Sequence, residues 1–218
     1  MSTPLRVLYG GTFDPVHHGH IAIATAARDV LEAQVSLLPA RDPPHKASTT
    51  ADAAQRAAML QLAVEGRPGL GIDLRELRRE GPSYTVDTLG ELRAELGDEA
   101  PLAWLVGADS LRQLQAWSRW RQLFDRAHLV AVQRPDEPND ASALARVAPG
   151  VAAEILHRQC LPIDLHRRPA GGFAWLPLPA LREESSTDIR PRIRDRLPWR
   201  DRVPPAVAAF IDHHGLYR

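Results

Sequence analysis

Leu5-Arg6-Val7-Leu8-Tyr9-Gly10-Gly11-Thr12-Phe13-Asp14-Pro15-Val16-His17-His18-Gly19-His20 is the stretch on which the fold turns. Leu5–Tyr9 is a short apolar run of the kind that makes a buried strand, and Gly10–Gly11 ends it. The Ala/Ile/Leu-rich run His20–Ala33 follows with helical spacing. Two glycines allow a tight turn and let the backbone approach a phosphate with no Cβ in the way. A helix starting just beyond presents free N–H groups and the positive end of its dipole to an anion. In an open parallel sheet, ligands bind beyond the carboxyl ends of the strands, where this turn lies. His17 and His20 are three residues apart and share one face if helical, with Gly19 leaving room for a flat base or sugar. The same residues also admit a plain Gly-rich turn, or zinc held by His17, His18 and His20. No carboxylate stands beside them at a familiar ligand spacing.

Working outward, Val35–Leu38 reads as a second strand, Pro39–Thr50 as a Pro-punctuated loop, Ala51–Val64 as a helix and Gly71–Leu74 as a third strand. Tyr84–Leu96 is an amphipathic helix with Val86, Leu89, Leu92 and Leu96 at three- and four-residue spacing. Leu102–Val106 is a fourth strand, helical material runs on to Phe124, and His128–Val132 is a fifth strand. Pro135–Asn139 reads as a linker, Pro162–Pro169 has no clear assignment, and Phe173–Leu176 is a last strand. Ser186–Arg196 and Pro205–His214 close the chain as helices, the second with Pro near its start. Strands alternating with helices predict an α/β fold: a Rossmann-like parallel sheet with helices on both faces and a C-terminal helical segment. The 218 residues suit a single domain, its helical part beginning at about residue 181.

Composition narrows the partners. Formal net charge is +0, so no global field favours nucleic acid or an anionic membrane, and any anion site must be local. Cys160 is the only cysteine, which excludes an intramolecular disulfide and a multi-Cys zinc site. The start of the chain lacks the apolar core of a secretory signal, and no apolar run approaches the roughly 18 residues that span a bilayer. The expectation is a soluble cytoplasmic protein with no nucleic acid or membrane partner; a homo-oligomer is compatible with the sequence. Lys46 is the only lysine among 27 Lys and Arg residues. It follows His45 rather than glycine, so there is no Walker-type phosphate loop.

Gly10-Gly11-Thr12-Phe13 with His17-x-Gly19-His20 resembles the nucleotidyltransferase superfamily with the (His/Thr)-x-Gly-His signature. Class I aminoacyl-tRNA synthetases share a related motif but also use a lysine-rich loop, which one lysine cannot supply. Further segments resemble the bacterial nicotinate-nucleotide adenylyltransferases: Pro43-Pro44-His45-Lys46, Ser83-Tyr84-Thr85-Val86-Asp87-Thr88-Leu89, and Gly107-Ala108-Asp109-Ser110 with Trp117. They continue with Ala127-His128-Leu129-Val130, Arg134-Pro135, Ser185-Ser186-Thr187-Asp188-Ile189-Arg190 and Gly215-Leu216-Tyr217-Arg218. Each alone is weak; in this order they reinforce one another. The family pattern usually carries an apolar residue before the double serine, where Glu184 stands here.

The resemblance implies transfer of the adenylyl group of ATP to nicotinate mononucleotide, giving nicotinate adenine dinucleotide and pyrophosphate in NAD biosynthesis. It implies that His17 and His20 are catalytic. Gly10, Gly11, Thr12, Phe13, Gly19, Gly107, Asp109, Ser185, Ser186, Thr187 and Arg190 would join them in binding ATP. Hydroxyls and N–H groups at a helix start, with an arginine one turn on, suit β- and γ-phosphates, although Ser185–Thr187 alone could be an ordinary N-cap. Asp109 is implied for the adenosine ribose, against a helix-capping role. Trp117 is implied against the nicotinate ring, against core packing of Trp117 or Trp120. Tyr84, Thr85 and Ser118 would meet the nicotinate carboxylate, where N–H and O–H donors favour the acid over the amide. Lys46 and Arg134 would neutralise phosphate charge, or simply sit on the surface. Mg²⁺ is expected, bound mainly through the ATP phosphates and without a protein metal site. Two alternatives stay open: another acceptor, such as nicotinamide mononucleotide, or a non-catalytic nucleotide sensor.

Overall fold

The computed structural model describes residues 4–41, 50–133, 141–178 and 184–218. Its six strands are β1 (Arg6–Gly11), β2 (Gln34–Pro39), β3 (Leu70–Ile72), β4 (Leu102–Val106), β5 (His128–Gln133) and β6 (Phe173–Pro177). They form one sheet in the order β3-β2-β1-β4-β5-β6, the doubly wound order of dinucleotide folds. β1 with β4, β4 with β5 and β5 with β6 pair in parallel, in a register that sets Tyr9 beside Leu105 and Val106 beside Ala131. All five residues of β4 are buried, as befits a strand covered on both faces. Pro177, which cannot donate to a ladder, closes the edge strand β6. The predicted α/β class is the observed one.

The helices are α1 (His18–Val30), α2 (Ala53–Val64), α3 (Arg75–Arg78), α4 (Thr85–Leu96), α5 (Ala108–Arg112), α6 (Leu123–Arg126), α7 (Ala141–Val147), α8 (Pro149–Leu156), α9 (Ser186–Arg194) and α10 (Pro205–His214). Short 3₁₀ turns add Leu114–Ala116, Trp120–Gln122, Pro162–Arg167 and Arg200–Arg202. No helix among the described residues is long and apolar enough to cross a membrane.

Four departures from the predicted elements have local causes. α7 and α8 stand where no element is predicted; Pro149 occupies the first turn of α8, where its missing N–H costs nothing. The predicted strand Gly71–Leu74 shortens because Leu74 already starts α3. The helical material before Phe124 is broken where Trp117 turns extended (ψ 140) and Arg119 goes left-handed (φ 50). Pro162–Pro169, unassigned from sequence, holds the 3₁₀ turn Pro162–Arg167.

The chain gathers into two compact units: Met1–Tyr9, Ala26–Val35 and Tyr84–Leu181 form one, and Gly10–Thr25, Ser36–Ser83 and Arg182–Arg218 the other. The first has a core of β4, β5 and β6 with Val86, Leu89, Leu92, Phe124 and Ile155. In the second, α2 packs on α10, burying Met59, Leu60 and Ala63 together with Val207, Ala208 and Ile211. Each large side chain so buried contributes about 1.5–3 kcal/mol.

Candidate active site

The histidine turn is built from β1 upward. Gly10 and Gly11 belong to the strand itself, so the reversal does not fall on them. It falls on Phe13, which is left-handed (φ 50) and buried. Gly11 matters for a different contact, because a Cβ there would meet Phe13 Cζ at 3.0 Å. The carbonyl of His17 accepts the first helical bond of α1, from Ile21 N–H at 3.3 Å, which makes His17 the N-cap. Its own N–H donates to His20 Nδ1 at 3.3 Å, the reach-back of a side chain at the third helical position. As an acceptor, Nδ1 carries no proton, so the His20 ring holds its proton on Nε2.

The two imidazoles stack with centroids 3.7 Å apart, and Phe13 meets His20 edge-on at 4.9 Å. The expected shared face is therefore real, though His17 precedes the helix. Gly19 leaves room chiefly for protein: its Cβ would lie 3.0 Å from His17 Nδ1 and 3.5 Å from the Glu184 carbonyl oxygen. Burial first, and then the charge of His18, push the His17 pKa down to about 4. His17 is thus neutral near pH 7, and its buried Nδ1 has no hydrogen-bond partner among the described residues.

α9 brings the double serine to this turn. Ser185 is its N-cap, accepting from Asp188 N–H at 3.1 Å. The next hydroxyl, on Ser186, donates to the Pro15 carbonyl at 2.9 Å. One turn on, Arg190 Nη1 donates to the Asp14 carbonyl at 2.8 Å. Ser185 thus caps the helix while Ser186 ties it to the turn. Thr187 is exposed at the helix start. Two neutral imidazoles, a helix N-terminus and a guanidinium form a donor set suited to a polyanion.

Three residues that hold this turn have no counterpart in the candidate set from sequence. Asp14 is buried and accepts Thr50 N–H (2.8 Å), Ala51 N–H (3.1 Å) and the Tyr217 hydroxyl (2.7 Å). Arg56, 1% exposed, donates to the carbonyls of Thr12 (2.9 Å), Ala40 (2.7 Å) and Arg41 (2.9 Å). Asp14 lies inside the first motif and Tyr217 inside the quoted ending Gly215–Arg218, but neither signals the contact, since the partners of Asp14 are 36 to 203 residues away.

The remaining candidates lie in the other unit. Gly107 is the N-cap of α5, so Asp109 sits two positions past the cap, inside the helix; it pairs instead with Arg112 at 2.9 Å and is 73% exposed. Tyr84 and Thr85 open α4, and Trp117 and Ser118 lie between two 3₁₀ turns. Asp87 and Arg119 pair at 2.5 Å, which ties those two segments together. Trp117 is half-buried, whereas Trp120 is core and carries Arg121 stacked at 4.4 Å. Of the two tryptophans, Trp117 keeps a usable face. Lys46 and Arg134 lie outside the described residues. Among the described residues, no three His, Cys, Asp or Glu side chains gather to hold a metal ion.

A family model described as cytidylyltransferase-like matches residues 8–192. A probable nicotinate-nucleotide adenylyltransferase of Stenotrophomonas maltophilia is 52% identical, over 98% of this chain and 97% of that protein. One from Laribacter hongkongensis is 47% identical, over 97% of this chain and 93% of its own length. Among solved structures, the Plasmodium falciparum nicotinic acid mononucleotide adenylyltransferase complexed with NaAD superposes with a TM-score of 0.73. It is 15% identical and covers 98% of this chain and 97% of its own. That likeness is one of fold.

Proposed function

Because this chain belongs to the nicotinate-nucleotide adenylyltransferase family, we propose that its histidine turn and double-serine helix hold the triphosphate of ATP for attack by nicotinate mononucleotide. It is a nucleotidyltransferase of NAD biosynthesis. The 5′-phosphate oxygen of the mononucleotide forms a bond to the α-phosphorus while the bond from that phosphorus to the β-phosphate oxygen breaks. Nicotinate adenine dinucleotide and pyrophosphate result. The attacking phosphate is already ionised, so no proton need be removed and no covalent enzyme intermediate is needed.

Catalysis is then positioning plus stabilisation of charge on phosphate oxygens. His17 and His20 are the donors. A neutral His17 can still give one N–H, and His20 gives Nε2–H. Ser185, Ser186, Thr187 and Arg190 supply the other flank of the triphosphate, and Gly19 keeps the imidazoles in place. Asp109 takes the adenosine ribose; Thr85, Ser118 and the backbone at Tyr84 take the nicotinate carboxylate; Trp117 stacks on the ring. Lys46 and Arg134 serve phosphate charge. Mg²⁺ would be held mainly through the ATP phosphates and, when bound, would supply neutralisation of phosphate charge.

The observation that carries this reading is the pair of hydrogen bonds from Ser186 and Arg190 to the carbonyls of Pro15 and Asp14. They join two motifs 171 and 176 residues apart at one turn. The test is pyrophosphate release by purified protein with ATP, Mg²⁺ and either mononucleotide, with His20→Ala alongside. Dinucleotide should form from the acid, and His20→Ala should be slower by about a hundredfold. Equal rates with acid and amide, or a His20→Ala variant within threefold of the parent, contradict the assignment.

A further inference from the structure

Tyr217 takes no part in the mechanism above, yet it is 8% exposed and held in a left-handed conformation (φ 64) just past α10. A non-glycine residue adopts such a backbone only where its surroundings hold it there. Its hydroxyl donates to Asp14 Oδ1 at 2.7 Å. That oxygen also accepts from Ala51 N–H at 3.1 Å, and Oδ2 accepts from Thr50 N–H at 2.8 Å. Two backbone donors and one phenol converge on a single buried carboxyl group.

The backbone of the same residue is fixed as well, since the Asp14 carbonyl accepts from Arg190. Asp14 stands three residues before His17, and Pro15 and Val16 between them are buried. A rotation of Asp14 is therefore passed on to His17 and, through the 3.3 Å bond from His17 N–H, to His20. Burial pushes the Tyr217 pKa well above the ordinary phenol range, so the hydroxyl keeps its proton and stays a donor at any working pH.

We infer that Tyr217 is a positioning residue: its hydroxyl, acting through the Asp14 carboxylate, sets the orientation of the His17–His20 turn. The inference rests on the proposed reaction for its kinetic consequence, but not for its geometric one. Tyr217→Phe removes the donor and keeps the ring's packing. Turnover should fall about tenfold, because small misplacement of transition-state donors is costly in rate, while KM for ATP and for the mononucleotide stays within twofold. In a ¹⁵N-labelled sample the His20 imidazole resonances, assigned with His20→Ala, should move. Asp14→Asn should act in the same direction, and the double variant should be no slower than Asp14→Asn alone, since both break one link.

A side chain that merely anchors the α10 end would behave differently. Tyr217→Phe would then lower the melting temperature while leaving turnover within twofold and the imidazole resonances unmoved, which overturns the inference. Multiplying losses in the double variant overturn it too. Should Asp14→Asn fail to fold, Tyr217→Phe decides by itself. If the parent protein releases no pyrophosphate with any acceptor, the reaction is lost, and the imidazole spectrum alone judges the positioning claim.

Discussion

Gly19 has no side chain, and the space its Cβ would take is already filled by the His17 ring at 3.0–3.1 Å. Two effects of Gly19→Ala oppose each other. Alanine in a helix is worth about 0.5–1 kcal/mol over glycine, whereas the new methyl forces the imidazole to give by a few tenths of an ångström. The ring is stacked on His20 at 3.7 Å and cannot move alone. Stability should therefore stay within about 1 kcal/mol of the parent while turnover drops at least about tenfold, because donors to a developing charge tolerate little displacement. Steady-state rates beside a urea titration measure both. A Gly19→Ala variant with full turnover would mean that the stacked pair does not act on the reacting phosphates. This division of labour is not visible in the motif as written, where the glycine reads as room for a ligand; only the folded chain shows that its neighbour takes the room.

At the level of elements, a buried cation holds the end of α4. Arg93 is 9% exposed and donates to the carbonyls of Arg126 (2.7 Å), Gly97 (3.2 Å), Asp98 (3.3 Å), Ala100 (2.6 Å) and Pro169 (2.7 Å). These include the C-cap residue of α4 and the backbone leading into β4. Arg93→Ala strands several carbonyls in the interior and should cost about 3 kcal/mol or more, read as a lower urea midpoint; Arg93→Lys, lacking the planar fork, should recover only part. A loss under about 1 kcal/mol for Arg93→Ala would show that water replaces the fork freely. The strands and the long helices were legible because their signals are local: apolar runs for β1 and β4, three- and four-residue spacing for α4, Ser185 for the start of α9. The bridging role of Arg93 was not, since an arginine in the last turn of an amphipathic helix reads as a solvated charge favourable to the dipole. Trp117 was legible as a candidate by type, but the break beside it, where Arg119 adopts φ 50, is announced by no pattern of apolar residues.

For the whole molecule, the motifs found in sequence fall into both compact units, and each unit has, beside its apolar core, long-range polar contacts that sequence spacing does not reveal. Asp14 reaches Tyr217, Arg56 reaches Thr12, and His128 reaches Arg168 and Gly172. Each unit also contains one buried histidine that must stay neutral, and this makes global stability depend on pH. His128 Nε2 faces the Arg168 carbonyl at 2.8 Å and so is the donor, while Nδ1 accepts from Gly172 N–H at 2.8 Å. A second proton would turn Nδ1 against that N–H, and burial accordingly lowers the His128 pKa. His17 is lowered further, to about 4, by burial and then by His18. In both cases the unfolded chain binds the proton more readily than the folded one. The stability they confer is therefore complete above the ordinary histidine range and is lost as pH falls below it, for His17 from about 6.5 towards 4. Between pH 7.5 and 5, His17 alone should remove about 2 kcal/mol. Urea unfolding at the two pH values, for the parent and for His17→Gln, isolates that share. The variant should lose about 2 kcal/mol less than the parent, with the His128 contribution left in both. Equal losses would mean that His17 takes up its proton without penalty in the native state, and that the burial seen around its ring is not maintained in solution.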